Sequence, residues 1–140
     1  MIHNLRFRLF VYSHEDEDEL YQALINIFGD VEVEREVVEG INEEPIIILY
    51  GVIFKKRILK DFVLNLKSDI YFNGNDFFDK VDKKMDDNAN LFIRLSKDYA
   101  KNKELKILDG GDSIHLKIKI AAYPSKKRIA IPIVKEIFVN

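Results

Sequence analysis

The chain has 140 residues, 47% of them hydrophobic and 33% charged, with 22 Lys+Arg against 24 Asp+Glu for a net charge of −2. Large apolar residues occur along its whole length, which excludes low-complexity disorder; the absence of cysteine excludes a disulfide framework, a thiolate zinc site and a cysteine nucleophile. No apolar run approaches the roughly 18 residues of a membrane span, and the alternating start Met1–Arg8 is unlike a signal peptide, so the expectation is one intracellular, cytoplasmic domain over residues 1–140.

Leu5, Phe7, Leu9 and Val11 alternate with Arg6, Arg8, Phe10 and Tyr12, which is strand periodicity. Ser13 with Asp16 three residues later, followed by carboxylates through Glu19, predicts a capped helix start. Leu20, Ala23, Leu24, Ile27 and Phe28 continue it at helical spacing, and Gly29 ends it. Val31, Val33 and Val37 against Glu32, Glu34 and Glu36 predict a strand with one acidic face, and residues 40–45 a hairpin-like loop. The nearly continuous apolar run Ile46–Phe54 reads as a central strand covered on both faces.

The period then changes. Ile58, Leu59, Phe62, Val63 and Leu66 form a helical stripe beginning among Lys55, Lys56, Arg57 and Lys60, and Ile70-Tyr71-Phe72 leads to the turn signal Asn73-Gly74-Asn75. Asp76 is placed to cap a short helix bearing Phe77, Phe78, Val81 and Met85. Leu91, Ile93 and Leu95 against Phe92 and Arg94 give a fourth strand, and Ser96–Lys106 reads as a polar connector. After the turn Leu108–Asp112, Ile114, Leu116, Ile118 and Ile120 alternate with His115, Lys117 and Lys119, the cleanest strand signal in the chain. Ala130, Ile133, Val134, Ile137 and Phe138 predict a terminal helix that must accommodate Pro132 in its first turn or at a kink. The order β-α-β-β-α-α-β-β-α implies an α+β single domain, with a mixed or antiparallel sheet and helices packed on one face.

The small net charge hides an asymmetry. Residues 1–54 hold three basic and twelve acidic side chains, a net of −9, and residues 55–140 hold 19 basic and twelve acidic, a net of +7. Such asymmetry points to an anionic partner, while mutual neutralisation of the two halves is the plainer alternative. If helices cover the apolar face, Arg6, Arg8, Phe92, Arg94, His115, Lys117 and Lys119 converge on the open one. Cations for phosphates and a ring for base stacking are what a single-stranded RNA surface needs. The alternative is a solvated face with Glu32, Glu34 and Glu36 opposing the cations across strands. Lys97, Lys101, Lys103 and Lys106 in the connector, and Lys126, Lys127 and Arg128 later, form a second basic candidate. His14 and Asp18 share a helical face, which fits a two-ligand metal site less well than an acid-rich first turn. No Ser-His-Asp grouping, H-E-x-x-H or Walker motif occurs, so no catalytic residue, metal site or cofactor is expected.

The landmarks His14-Glu15-Asp16-Glu17-Asp18, Glu34–Gly40, Asn90–Lys97 and Asp112–Ile120, in that order, cover roughly residues 5–125. Together they resemble the archaeal RNA-binding family known as a predicted exosome subunit. That resemblance implies a fold similar to the large-subunit ribosomal protein that binds the smallest ribosomal RNA. It also implies an RNA-binding role accessory to RNA processing, without catalysis, and puts Arg94, Lys97, Lys117 and Lys119 near nucleic acid. The expectation is therefore a non-enzymatic RNA-binding module using Arg6, Arg8, Arg94, Lys97, Lys117, Lys119, Lys126 and Lys127 on phosphates and Phe92 for stacking, with RNA and RNA-processing proteins as partners. The alternative is a scaffold subunit of a ribonucleoprotein or exosome-type assembly, docking through its acidic half without touching RNA.

Overall fold

Alternation along Ile2–Val11 forms β1, in which Leu5, Phe7, Leu9 and Val11 are buried and Arg6 and Arg8 face outward. The structure, a computed structural model, describes residues 1–73 and 76–138; Gly74 and Asn75, the centre of the expected turn, lie outside the described residues. Helix α1 (Glu17–Phe28) starts from Asp16, whose carboxylate accepts from the amides of Asp18 and Glu19, and stops at Gly29 in a positive-φ conformation. The cap is Asp16 and not Ser13, because the Ser13 hydroxyl donates instead to Glu44 at 2.9 Å. Strands β2 (Glu34–Glu39) and β3 (Pro45–Ile53) follow as a hairpin, joined by a 3-10 turn and closed by a 2.8 Å bond from the Gly40 amide to the Glu44 carbonyl.

Helix α2 runs over Lys56–Asn73, so the Ile70-Tyr71-Phe72 stretch is helical. A short helix α3 (Phe77–Lys80) passes into a 3-10 turn over Val81–Lys84; Asp76 makes no capping bond there and pairs with Lys80 at 2.8 Å. Strand β4 (Asn90–Leu95) follows. The expected connector then contains two elements absent from the sequence-derived order: α4 (Lys97–Lys101), capped by Ser96 Oγ, and the two-residue strand β5 (Ile107–Leu108). Strand β6 (Ile114–Ile120) and helix α5 (Lys127–Phe138) complete the chain, with Pro132 in the second turn of α5, on its exposed side.

Among the described residues six strands form one sheet in the order β2-β3-β1-β6-β4-β5, and every pairing is antiparallel. Helices α1, α2 and α5 bury Leu20, Leu24, Leu59, Phe62, Leu66, Ala130 and Val134 against the inward residues of β1, β3, β4 and β6. This is the expected α+β architecture, with a further correction at β3. The continuous apolar run is covered on one side only: Leu49 and Ile53 are buried, whereas Tyr50 and Val52 stand exposed on the other face.

Gly51 sets how tightly the layers close. It lies opposite Phe7 in the β1–β3 pair, and the Phe7 ring occupies the space a side chain would fill. That ring stacks on Phe28 of α1 at 5.1 Å, and Phe28 meets Phe62 of α2 at 5.2 Å, so one chain of rings ties sheet and helices together. A Cβ at position 51 would stand 2.5 Å from Phe7 Cζ and 2.8 Å from the Glu32 carbonyl oxygen. The ring is packed and the carbonyl is backbone, so neither yields cheaply. Gly51→Ala is expected to lower unfolding free energy by about 1–3 kcal/mol in urea titration, as overpacked cores do.

Candidate nucleic-acid interface

The face opposite the helices is open, and the strand register writes its contents row by row. One row runs Glu34–Tyr50–Arg8–His115–Arg94–Leu108 across all six strands. The next runs Val52–Arg6–Lys117–Phe92, and the one after pairs Asn4, Lys119 and Asn90. Arg6, Arg8, Phe92, Arg94 and Lys117 are thereby brought onto one surface, which curves into a hollow of 790 Å³. Lys83 and Lys84, from the 3-10 turn after α3, reach the rim of the same hollow. Phe92 is 43% exposed and Tyr50 38%, so both rings offer a free face to a ligand.

Among the described residues, Arg6, Arg8 and Lys117 have no carboxylate within ion-pairing distance. The acids of the second strand do not oppose them directly. Glu34 and Glu36 project from the edge strand β2, and β3 separates them from β1, so Glu34 stands two strand spacings, roughly 10 Å, from Arg8. The face is graded, acidic and apolar at the β2–β3 edge and cationic over β1, β6 and β4. Electrostatics register this at His115. Its pKa is held below the ordinary histidine value, first by burial and then by Arg94 and Arg8, with Asp112 acting in the opposite sense. Close to Lys117, burial disfavours the charged form of Asp86. Hydrogen bonds from the Asn90 side chain and from the Asn90 and Asn88 amides outweigh that, and its pKa is lowered.

Other expected contacts lie elsewhere or are already engaged. Lys119 sits at the far end of the face, where its ammonium donates to the Asn88 carbonyl and to Ser125 Oγ, lining a second hollow of 410 Å³ continuous with Arg6 and Lys117. Arg94 is partly committed, one guanidinium nitrogen donating to the Gly111 carbonyl at 3.1 Å. Lys126 and Lys127 stand on a separate surface at the start of α5 beside Asp82 and Asp87, and Lys127 pairs with Asp82 at 3.4 Å.

Lys97 is not on the open face at all. Only 6% exposed, it donates to Glu15 at 3.0 Å, Asp112 at 2.9 Å and the Phe10 carbonyl at 2.6 Å, and it lies over the Tyr12 ring. An ammonium with every proton spoken for inside the protein is not placed to meet phosphates. Its role is to join the start of α1, the end of β1 and the β5–β6 turn. Tyr50, Lys83 and Lys84 are the site residues that sequence reading passes over: the first is hidden in an apolar run, the others in a segment without strand periodicity.

The chain belongs to the RNA-binding family, since residues 4–120 match the family described as RNA binding. It is 30% identical over 141 residues to an RNA-binding protein of Pyrococcus abyssi, across 96% of this chain and 92% of that protein. It is also similar in structure to a DUF54 protein from Methanothermobacter thermautotrophicus, with a TM-score of 0.87, 36% sequence identity, and coverage of 99% of this chain and 98% of that one. The family and the Pyrococcus relative are described by RNA binding and not by an enzymatic activity.

The assignment of Lys97 to the interior has a measurable consequence. Lys97→Met leaves Glu15, Asp112 and the Phe10 carbonyl without their cation, and stability in urea at neutral pH should fall by about 3 kcal/mol. Adding Glu15→Gln to that variant should recover part of the loss, because it removes one of the stranded charges.

Proposed function

We propose that the protein binds single-stranded RNA across the open face of its sheet, with phosphates held by Arg6, Arg8, Arg94 and Lys117 and bases stacked on Phe92 and Tyr50. The premise is membership of an RNA-binding family. The observation that carries the reading is the in-register convergence of four cations between two exposed rings, on the face that no helix among the described residues covers. Cations flanked by rings suit a strand whose bases are splayed out, because phosphates and bases are then met by different side chains. In this reading the protein is a non-catalytic accessory of RNA processing or degradation. The resemblance of its landmarks to the exosome-associated family, and of that family's fold to the ribosomal protein, supports placing it in such an assembly.

The net charge of −2 sets the strength of the contact. Cations gathered on one face of a nearly neutral molecule give an affinity that falls steeply as salt is added. Charge reversal Arg6→Glu with Lys117→Glu should weaken binding to a single-stranded oligoribonucleotide in a mobility-shift titration. The slope of log affinity against log salt should become shallower by about one phosphate contact for each side chain reversed. Lys126→Glu with Lys127→Glu, on the separate surface, should leave both quantities unchanged. If the first variant binds as tightly as the parent, with the same slope, the open face is not the RNA surface. Loss of binding only in the second would move the contact to the start of α5.

A further inference from the structure

The row Arg8–His115–Arg94 is the last cationic row of the open face. Neighbouring members lie on adjacent strands in register, roughly 5 Å apart. The next outward position of β1 holds Phe10, whose ring centre is 5.3 Å from the Arg8 guanidinium carbon and 6.4 Å, edge-on, from the His115 ring. Beside Phe10 across β3 and β2 come Ile48 and Glu36. On the other side the β5–β6 turn closes in, its Gly111 carbonyl accepting from Arg94. A cationic strip that begins at Arg6 and Lys117 therefore ends at this row, walled by a ring and a turn.

We propose that this row is a terminal-phosphate site, taking the phosphomonoester at one end of an RNA strand whose internal phosphates lie along Arg6 and Lys117, with His115 accepting a proton as the anion enters. The proposal rests on the RNA reading of the open face. An internal phosphodiester carries one negative charge, whereas a terminal phosphate carries about −1.5 to −2 at neutral pH and has three strong acceptor oxygens. Two guanidiniums supply fixed charges and fork-like donors for such a group. Between them His115 supplies a third donor whose charge is available on demand.

The charges around His115 favour this exchange from each side. Burial lowers its pKa most in the empty site, then Arg94 on β4 and Arg8 on β1, and Lys97 more weakly, while Asp112 opposes them. Lys117 follows on its own strand, and Lys83 and Lys84 stand at the rim. The acids nearby are largely answered. Asp112 is held by Lys97 at 2.9 Å, and Asp109 by Lys80 at 3.4 Å and Lys84 at 3.9 Å. On the β2 side Glu36 lines the hollow, and Glu34 stands in the same row as Arg8 with Tyr50 between them. A dianion arriving between the arginines reverses the local field, so the imidazole gains a proton on binding. His115 holds its proton less tightly in the free site than with the anion in place. While the phosphate stays dianionic, affinity for the phosphorylated end must then rise as pH falls through the bound-state pKa of the imidazole and level off well above it.

The test compares oligoribonucleotides of one sequence carrying a 5′-phosphate, a 3′-phosphate or neither, by fluorescence anisotropy at pH 7 and pH 8.5, both above the second pKa of about 6 of a terminal phosphate. The proteins are the parent, His115→Asn, and Arg6→Glu with Lys117→Glu. One phosphorylated end should bind about tenfold tighter than the unphosphorylated strand, the scale of one charge-assisted hydrogen bond. The preference should be larger at pH 7 than at pH 8.5, and His115→Asn should abolish that pH dependence. Which end binds tighter identifies the terminus. A second readout is the His115 imidazole resonance, whose titration midpoint should move to higher pH with the preferred oligonucleotide. If all three strands bind alike at both pH values and the Arg6, Lys117 variant weakens them equally, the terminal site is overturned and the RNA reading stands. If none binds, or that variant changes nothing, the RNA reading falls and takes this site with it.

Discussion

Everything on this protein's open face depends on the pairing register of β1 with β6 and β3. A strand has a side-chain period of two, so shifting β1 by one residue against either neighbour would drive Arg6 and Arg8 into the core and turn Leu5, Phe7 and Leu9 outward. The core fixes that register firmly. Phe7 fits only against the strand position that has no side chain, Gly51, and its ring continues through Phe28 to Phe62. The lateral order of the cations is thus a by-product of apolar packing. Arg8, His115 and Arg94 share a row because Phe7, Leu116 and Ile93 share the row beside it.

The charge asymmetry along the chain becomes an asymmetry across the sheet. The acidic half supplies β2, β3 and α1, where Arg35 is already spent on Glu17 at 2.8 Å. The basic half supplies β6 and β4, and β1 brings Arg6 and Arg8 from the acidic half into their company. Topology accomplishes this by inserting β1 between β3 and β6. The two halves do not neutralise each other on the open face, because β3 stands between the glutamates of β2 and the arginines of β1 and presents Ile48, Tyr50 and Val52 there. Exposed charges of an edge strand also discourage pairing with a further strand, so the β2 acids have a role that needs no ligand.

The parts of this arrangement legible in the sequence are those that rest on local periodicity. The alternation in β1, β4 and β6 placed Arg6, Arg8, Phe92, Arg94 and Lys117 on one side without reference to any partner strand. The parts that escaped depend on what lies across a long sequence gap. A run such as Ile46–Ile53 records apolarity but not which face is covered, so Tyr50 was hidden in it. A five-residue helix and a two-residue strand are too short to leave a period, which is why α4 and β5 read as connector. Lys97 looks like a surface lysine until Glu15, 82 residues earlier, and Asp112 are brought to it.

That buried lysine nonetheless belongs to the logic of the open face. By pairing with Asp112 it holds the β5–β6 turn against the end of β1, and the same turn presents the Gly111 carbonyl that orients Arg94. It also answers an acid that would otherwise stand three residues from His115 with its charge unopposed. An unpaired Asp112 would raise the proton affinity of His115 in the empty site and cancel part of the attraction the two arginines exert on an anion. The interior cation therefore helps keep the row above it net positive and adds to the lowering of the His115 pKa. A lysine that touches no ligand sets the charge of the surface that would.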